Sequence, residues 1–322
     1  MRIKLGILGI VSLVLGCYKL LPPEAGGREN EIIAILNPYI DSVICDTFEQ
    51  YFYFPSPDKF FIIRKIKPEE FTRFQYRKNI LVIDTLGNPV VDSLLSEEAR
   101  KWVLDFGGRV FFSHDNFIRN QVVVLCVARN TRTLVKLVNS RKKDLVDYFV
   151  GTVFSRIKNK IYKDGIETGV KFILSTKYGI EIDLPRGWQM VKDTVGFVKF
   201  IRHFPERVIS IYWEDKPRNK WLSEQHAISI RDSIGKKYYY GDYVYKDGYK
   251  KFYFVKFKNW AAQKLECVWQ SATEDMGGPA RTYFFNTKKR FYVIDLHTFA
   301  PTETKWLILA QLELIISTFN ER

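Results

Sequence analysis

The segment 269–281 contains an unusual concentration of side chains that could bind or act on a polar ligand. Paired glycines before a proline allow backbone paths closed to other residues, and an acidic pair beside an arginine can hydrogen-bond a polar group. We therefore treat this segment as a candidate ligand-binding loop. A plain β-hairpin connection explains the same residues and is the favoured alternative. The candidate residues are Trp269, Glu274, Asp275, Gly277, Gly278 and Arg281.

Histidine-based chemistry finds little support. None of the four histidines has a partner at metal-ligand spacing; they are His114, His203, His226 and His297. The sequence also lacks nucleophile-elbow, dinucleotide-binding and phosphate-loop motifs. Ser113, His114 and Asp115 are adjacent, but neighbouring strand residues point to opposite faces and rarely form a working triad. We predict no catalytic residue, no metal and no cofactor.

Cys17 is the residue whose chemical role the sequence predicts most clearly, and this role follows from the sixteen residues before it. Arg2 and Lys4 lead into an apolar run that ends at Gly16. A dozen helical residues rise roughly 18 Å, short of the ~30 Å hydrocarbon core, so residues 1–16 predict a removable signal peptide. The run Val14-Leu15-Gly16-Cys17 resembles a bacterial lipobox, although a small residue is commoner than Leu15. The resemblance implies that Cys17 is lipidated and becomes the first residue.

Residues 17–30 are predicted to form a tether, because prolines and glycines replace any apolar periodicity there. No aspartate directly follows Cys17, and no acidic run follows it either. We therefore expect a lipid anchor on the periplasmic face of the outer membrane. The membrane is the expected partner through the lipid on Cys17.

The composition predicts a globular, basic mature protein. Hydrophobic residues make up 46% and aromatic residues 16% of the sequence, which is ample for packed cores. The formal net charge of +14 falls by two, to +12, when Arg2 and Lys4 leave with the signal peptide. The basic residues are scattered and no nucleic-acid motif accompanies them. We expect no nucleic-acid partner, and a surface that favours solubility or anionic head groups.

The remaining cysteines are Cys45, Cys126 and Cys267. Their odd number, wide spacing and lack of a CxxC pair argue against a zinc site or a disulfide framework. Buried free thiols are the default expectation, and one bridge in an oxidising periplasm stays open.

The first half of the mature chain, residues 31–164, predicts an α/β layered domain. Continuously apolar strands alternate with helices, a pattern typical of a sheet buried on both faces. A helix starts at Thr131 and is expected to break at Asn139-Ser140 before an amphipathic helix follows from Leu145. The predicted strands include Glu31–Leu36, Lys59–Lys65, Asn79–Asp84 and Gln121–Ala128.

The second half, residues 165–322, predicts an antiparallel-sheet α+β sandwich domain. Strands are expected from Ile173 onward, including one over Tyr238–Tyr245. One helix is predicted within them over Trp221–Ile234, and another closes the chain over Glu303–Phe319. The whole chain is therefore predicted to be α+β, with an α/β domain followed by a sandwich and a C-terminal helix.

Two family resemblances follow from these motifs. Leu184-Pro185-Arg186-Gly187-Trp188, a curved sheet and a helix ending in Ser317-Thr318-Phe319 resemble the sheet domains of photosystem-associated PsbP proteins, at fold level only. The lipobox, Gly179 to Pro185, Ile230 to Ser233, Met276 to Pro279 and Phe299-Ala300-Pro301 resemble domain of unknown function 4837, a family of uncharacterised Bacteroidetes lipoproteins. That resemblance extends over nearly the whole mature chain and implies an envelope lipoprotein without a known activity.

Two functional hypotheses follow from the sequence. The first is a non-enzymatic envelope module that binds a protein, glycan or lipid through the sheet face or the candidate loop. The second is a periplasmic hydrolase that uses Glu274, Asp275 or His297 as acid or base. A deep pocket with converging, perturbed ionisable groups favours the enzyme, and a flat aromatic groove favours binding.

Overall fold

A computed structural model describes residues 23–53 and 57–322. The predicted signal peptide, 1–16, and Cys17 lie outside the described residues. The predicted fold class is confirmed, because an N-terminal α/β domain precedes an antiparallel sheet flanked by helices.

The N-terminal domain is built on a five-stranded sheet with the order β4-β1-β5-β7-β6. The first four of these strands are parallel, and β6 pairs antiparallel to β7 at one edge. The strands of this domain are β1 Glu31–Leu36, β2 Tyr51–Tyr53, β3 Pro57–Lys59, β4 Ile62–Lys65, β5 Asn79–Thr85, β6 Gly108–His114 and β7 Val122–Ala128. Its α-helices are α1 Asp41–Phe48, α2 Phe71–Phe74, α3 Pro89–Leu94, α4 Glu97–Phe106 and α5 Thr131–Ile161.

Helix α5 is continuous, so the expected break at Asn139-Ser140 is wrong. The Asn139 side-chain amide donates to the carbonyl of Val135, and the Ser140 hydroxyl donates to that of Leu137. These bonds to preceding carbonyls satisfy both polar side chains without breaking the helix.

The C-terminal domain is built on an eight-stranded antiparallel sheet. Its order is β12-β14-β15-β16-β11-β10-β9, and β13 also pairs with β14. The strands of the domain are β8 Ile180–Glu181, β9 Gln189–Thr194, β10 Phe197–Arg202, β11 Glu206–Glu214, β12 Tyr243–Val244, β13 Lys250–Phe257, β14 Trp260–Gln270, β15 Gly277–Asn286, β16 Phe291–Phe299 and β17 Asn320–Glu321. Two of these strands, β8 and β17, pair with each other outside this sheet. The helices are α6 Thr168–Tyr178, α7 Glu224–Tyr238 and α8 Lys305–Ile316.

Two sequence predictions in this domain are wrong. The region after Ile173 continues a helix, α6, which ends at Gly179 in the left-handed conformation that commonly closes helices. The predicted strand over Tyr238–Tyr245 is reduced to two residues, because Tyr238 ends α7.

Helix α8 is shared by the cores of both domains. Trp306 and Ala310 pack into the N-terminal core, where Trp306 stacks on Phe60 with ring centroids 4.2 Å apart. Leu309 and Leu312 pack into the core on one face of the C-terminal sheet. The other face of that sheet packs against α7. The last helix therefore joins the two halves through buried apolar contacts.

The segment 24–30 packs on the N-terminal domain. The backbone N–H of Ala25 donates to the carbonyl of Arg119 at 2.9 Å, and the N–H of Gly26 donates to that of Tyr76 at 3.0 Å. Glu29 forms an ion pair of 2.9 Å with Arg156 of α5. The later part of the predicted tether thus lies along the amino ends of β5 and β7, while residues 17–22 lie outside the described residues.

The three cysteines described by the structure are free. Burial raises the pKa of the Cys126 and Cys267 thiols to about 12, so both are protonated at neutral pH. No helix in the described part of the chain has both the length and the apolar character needed to cross a bilayer.

Candidate functional site

A shallow cleft opens beside the candidate loop, where β14 ends and β15 begins. Its volume is about 280 Å³. Three aromatic rings contribute to its wall, and Asp275 is the carboxylate on its lining. The lining residues are Tyr245, Val268, Trp269, Gln270, Asp275, Met276, Gly277, Gly278 and Phe299. The cleft suits a small group with an apolar face and a polar edge.

The two glycines in the cleft are required by strand packing. A Cβ atom on Gly277 would lie 2.5 Å from the carbonyl oxygen of Trp269, and one on Gly278 would lie 2.2 Å from that of Thr298. Both carbonyls belong to neighbouring strand backbone, which cannot move aside cheaply. Close backbone approach therefore explains both glycines, and they shape the cleft by lacking side chains.

Trp269 forms the floor of the cleft but is a core residue, with 2% of its surface exposed. Its indole N–H donates to the carbonyl of Thr298 at 3.3 Å. Its ring packs on that of His297, with centroids 4.9 Å apart. Trp269 thus supports the cleft, whereas Tyr245, Met276 and Phe299 offer accessible apolar surface.

A fully buried charged cluster lies behind Trp269. The Asp295 carboxylate accepts hydrogen bonds from the Thr282 hydroxyl at 2.6 Å and from His297 Nδ1 at 3.1 Å. An Arg231 guanidinium nitrogen lies 3.7 Å from the same carboxylate. All four side chains are buried. Beside them, the Tyr239 hydroxyl donates to that of Ser210.

The electrostatics of this cluster follow from burial and charge pairing. Burial alone would raise the pKa of Asp295, but the Arg231 charge and the His297 hydrogen bond outweigh it and hold that pKa at about 2. Burial, helped by the positive charge of Arg231, lowers the pKa of His297 despite its hydrogen bond to Asp295. Among the described residues, the three guanidinium nitrogens of Arg231 have no hydrogen-bond partner. The cluster is a closed Arg–Asp pair beside a neutral histidine.

Of this cluster, only His297 was a candidate from the sequence, and its partners Arg231, Thr282 and Asp295 were not predicted. Asp295 and His297 stand within the apolar strand Phe291–Phe299, and polar residues in such a run must find partners. Arg231 lies on the buried side of α7, which is otherwise lined by residues such as Ala227 and Ile234. Polar residues within these apolar surroundings were the sequence signal that could have indicated the cluster.

The structure does not bring all of the other predicted site residues together. Glu274 and Asp275 are exposed on the loop between β14 and β15. Arg281 lies on the opposite face of the sheet, where it forms ion pairs of 3.0 Å with Glu266 and 2.7 Å with Glu313 of α8. The structure therefore brings Trp269, Asp275, Gly277 and Gly278 to one cleft, and it places Arg281 elsewhere.

The described residues contain no group of three or more His, Cys, Asp or Glu side chains that could hold a metal ion. The side chains of His297 and Asp295 are buried, and neither is among the described residues that line the cleft. The arrangement offers apolar contact and a single carboxylate to a bound group, without a general acid and base facing each other.

Two family models match the chain, and the boundary between their matches coincides with the boundary between the two domains. Residues 168–318 match the domain of unknown function DUF4837. Residues 30–162 match a separate domain of unknown function, DUF8532. The expected DUF4837 resemblance is thus confirmed for the C-terminal domain, but it does not extend over nearly the whole mature chain. No curated protein matches the sequence.

Several solved structures are similar to this chain at low scores. A protein from Bacteroides thetaiotaomicron is 14% identical with a TM-score of 0.30, over 45% of each chain. The cyanobacterial PsbP protein CyanoP from Synechocystis is 16% identical with a TM-score of 0.32, over 46% of this chain and 89% of CyanoP. LpqN of Mycobacterium tuberculosis, described as involved in cell-envelope biogenesis, is 8% identical with a TM-score of 0.29, over 44% of this chain and 82% of LpqN. Such scores support no function for this chain, and the PsbP likeness stays a prediction.

Proposed function

We propose that this protein is a lipoprotein of the cell envelope, held on the periplasmic face of the outer membrane by lipid on Cys17. We further propose that its C-terminal domain is a non-enzymatic module that binds an envelope protein or glycan at the cleft beside β14 and β15. The basic n-region, the short apolar run and Gly16-Cys17 support the anchor. The anchor lies outside the described residues.

One observation supports the binding role: the ionisable groups with strongly shifted pKa values do not line the open cleft. The cleft presents Tyr245, Met276 and Phe299 with the exposed Asp275 at its edge. Asp295 and His297 are sealed behind Trp269. A hydrolase needs its acid and base within hydrogen-bond reach of the reacting group. The geometry therefore favours binding over the hydrolase hypothesis.

Site-specific photocrosslinking in living cells tests the binding role. We expect a photoreactive phenylalanine analogue at Tyr245, in the cleft, to yield a discrete adduct with an envelope protein or glycan. The same analogue at the exposed Phe254, on β13, is the matched control and should yield none. Phe299→Ala should weaken the cleft adduct, because it removes apolar surface from the wall. Equal adducts from both positions would contradict a cleft-specific partner.

Metabolic labelling with an alkyne fatty acid tests the anchor. Wild type should take up the label and sediment with the envelope membranes, whereas Cys17→Ser should lose both properties. Cys45→Ser, which removes a thiol within α1, should keep the label. An unlabelled wild type would remove the lipoprotein assignment and leave the cleft prediction standing.

A further inference from the structure

The place where the described chain begins restricts which part of the protein can face the membrane. Glu24 forms an ion pair of 2.8 Å with Arg119, and the next residues run along the amino ends of β5 and β7. Six Cα–Cα steps separate Cys17 from Pro23, a reach of at most about 20 Å. Helix α5, with 31 residues, is about 46 Å long. A lipid on Cys17 therefore keeps this edge of the N-terminal domain, and not the opposite one, near the bilayer.

This edge carries a concentration of arginines. The guanidinium carbons of Arg64, Arg73 and Arg77 lie 4.5, 5.5 and 6.0 Å from the centre of the Phe74 ring. Arg64 has one distant ion pair, of 3.9 Å, with Glu31. Among the described residues, neither Arg73 nor Arg77 forms an ion pair. Three cations thus surround one aromatic ring, and among the described residues only Arg64 of the three forms an ion pair.

Exposed aromatic rings accompany these charges. Tyr76 is 52% exposed, and its backbone carbonyl receives the Gly26 N–H where the chain enters the fold. Phe117 is 37% exposed and packs edge to face on Phe71, the first residue of α2. Arginine beside tyrosine or phenylalanine is the composition that favours the head-group region of a bilayer, where rings rest at the apolar boundary and cations meet phosphate.

The acids of the entering chain are engaged, whereas Glu69 and Glu70, on the turn before α2, are exposed and form no ion pair among the described residues. Glu24 pairs with Arg119, and Glu29 pairs with Lys78 and Arg156. Desolvation opposes ionisation of Glu29, but these two cations outweigh it and lower its pKa. The described acids of the entering chain therefore do not pair with Arg73 or Arg77, and the three arginines around Phe74 outnumber the two carboxylates before α2.

We propose that Arg64, Arg73, Tyr76, Arg77 and Phe117, termed the basic patch, dock on an anionic lipid surface. Docking fixes the orientation of the anchored protein and directs the patch towards the head groups. The inference rests on the proposed anchor at Cys17, which supplies the proximity. The short reach of the tether and the charge complementarity of the patch support it together.

Vesicle binding tests the patch without the lipid anchor. The mature chain, 17–322 with Cys17→Ser, is titrated with vesicles of phosphatidylcholine alone or with added phosphatidylglycerol. We expect binding only to the anionic vesicles, weakening at high salt because the Debye length shrinks. Removing one cation should cost roughly fivefold in affinity, so Arg73→Gln with Arg77→Gln should lose roughly 25-fold.

Two control variants distinguish the effect of the position and charge of these residues on vesicle binding from an effect of misfolding. Arg132→Gln with Lys136→Gln removes the same charge from exposed positions in the first turns of α5, and it should change affinity less than about twofold. Arg73→Lys with Arg77→Lys keeps the charge and should keep most of the binding. Equal losses from both glutamine pairs, or equal binding to neutral and anionic vesicles, would overturn the docking surface. Absence of fatty-acid label from the wild type would instead overturn the anchor, on which the orientation depends.

Discussion

At the scale of single residues, the cluster around Asp295 places an ion pair within the buried interior of the C-terminal domain. A carboxylate with 1% exposure is tolerated because Arg231, Thr282 and His297 surround it. Removing one member of a buried ion pair leaves the other uncompensated, which is costlier than removing both. The cluster therefore specifies how α7 must sit on the sheet.

We expect Asp295→Asn to lower the free energy of unfolding by about 3–5 kcal/mol, because it strands the Arg231 charge in the core. Urea denaturation followed by tryptophan fluorescence measures the change. Asp275→Asn, which alters an exposed carboxylate on the cleft loop, should stay within about 0.5 kcal/mol of wild type. Similar values for the two variants would show that the cluster contributes little.

The pH dependence of stability should carry a contribution from His297. Its pKa in the folded state is lowered from 6.5 by burial, so the unfolded state binds the proton more readily. The stabilisation is fully present above pH 6.5 and is lost as the pH falls below it towards the folded pKa. We expect the free energy of unfolding to fall between about pH 7.5 and about pH 5.5 in wild type, and less in His297→Gln. A slope in His297→Gln equal to that of wild type would contradict this contribution.

Nearness in sequence indicated which candidate residues lie together within one loop but not across alternating strand positions, and their role in ligand binding stays a prediction. Trp269, Asp275 and the two glycines line one cleft. Arg281 does not join them, because the Arg281 side chain lies on the α8 side of β15, opposite the side of Ala280. Alternation along a strand that contains Ala280 and Arg281 is enough to place their side chains on opposite faces. Arg231 could not be paired with Asp295 from sequence, because no local pattern relates α7 to β16.

At the scale of elements, the start of β15 depends on two glycines that let three strands approach. We expect Gly278→Ala to destabilise the fold by about 1–3 kcal/mol, because its Cβ would overlap the Thr298 carbonyl. Gly151→Ala within α5 meets no atom within 4 Å and should instead stabilise by up to about 1 kcal/mol. Thermal unfolding of both alanine variants measures the contrast, and shifts of the same sign would contradict it.

Element boundaries were recoverable where a strong local signal existed. The continuously apolar strands β1, β5 and β7 match their predicted positions closely. Helix α6 was missed because Val170, Phe172 and Ile173 have high strand propensity, although Gly179 marked its end. Strand β6 was missed because its half-exposed residues alternate without a long apolar run, as expected at a sheet edge.

At the scale of the whole molecule, the two domains are coupled through α8. We expect Trp306→Ala to lower stability by about 3–5 kcal/mol, since it opens a cavity in the N-terminal core. The unfolding transition should remain single when followed by fluorescence and by circular dichroism, because α8 contributes to both cores. Phe254→Ala, at an exposed position of β13, is the control and should change stability little. Two separate transitions in the wild type would indicate that the domains fold independently.

The shared helix also has a consequence for the order of events during biosynthesis. The N-terminal core includes Trp306 and Ala310, which follow the end of α5 by more than 140 residues. At 5–20 residues per second, the ribosome reaches Trp306 on the order of ten seconds after completing α5. Throughout that interval the sheet of the first domain has an open apolar patch beside Phe60. Until α8 emerges from the ribosome, neither core has its full set of apolar contacts, and both cores can then close together.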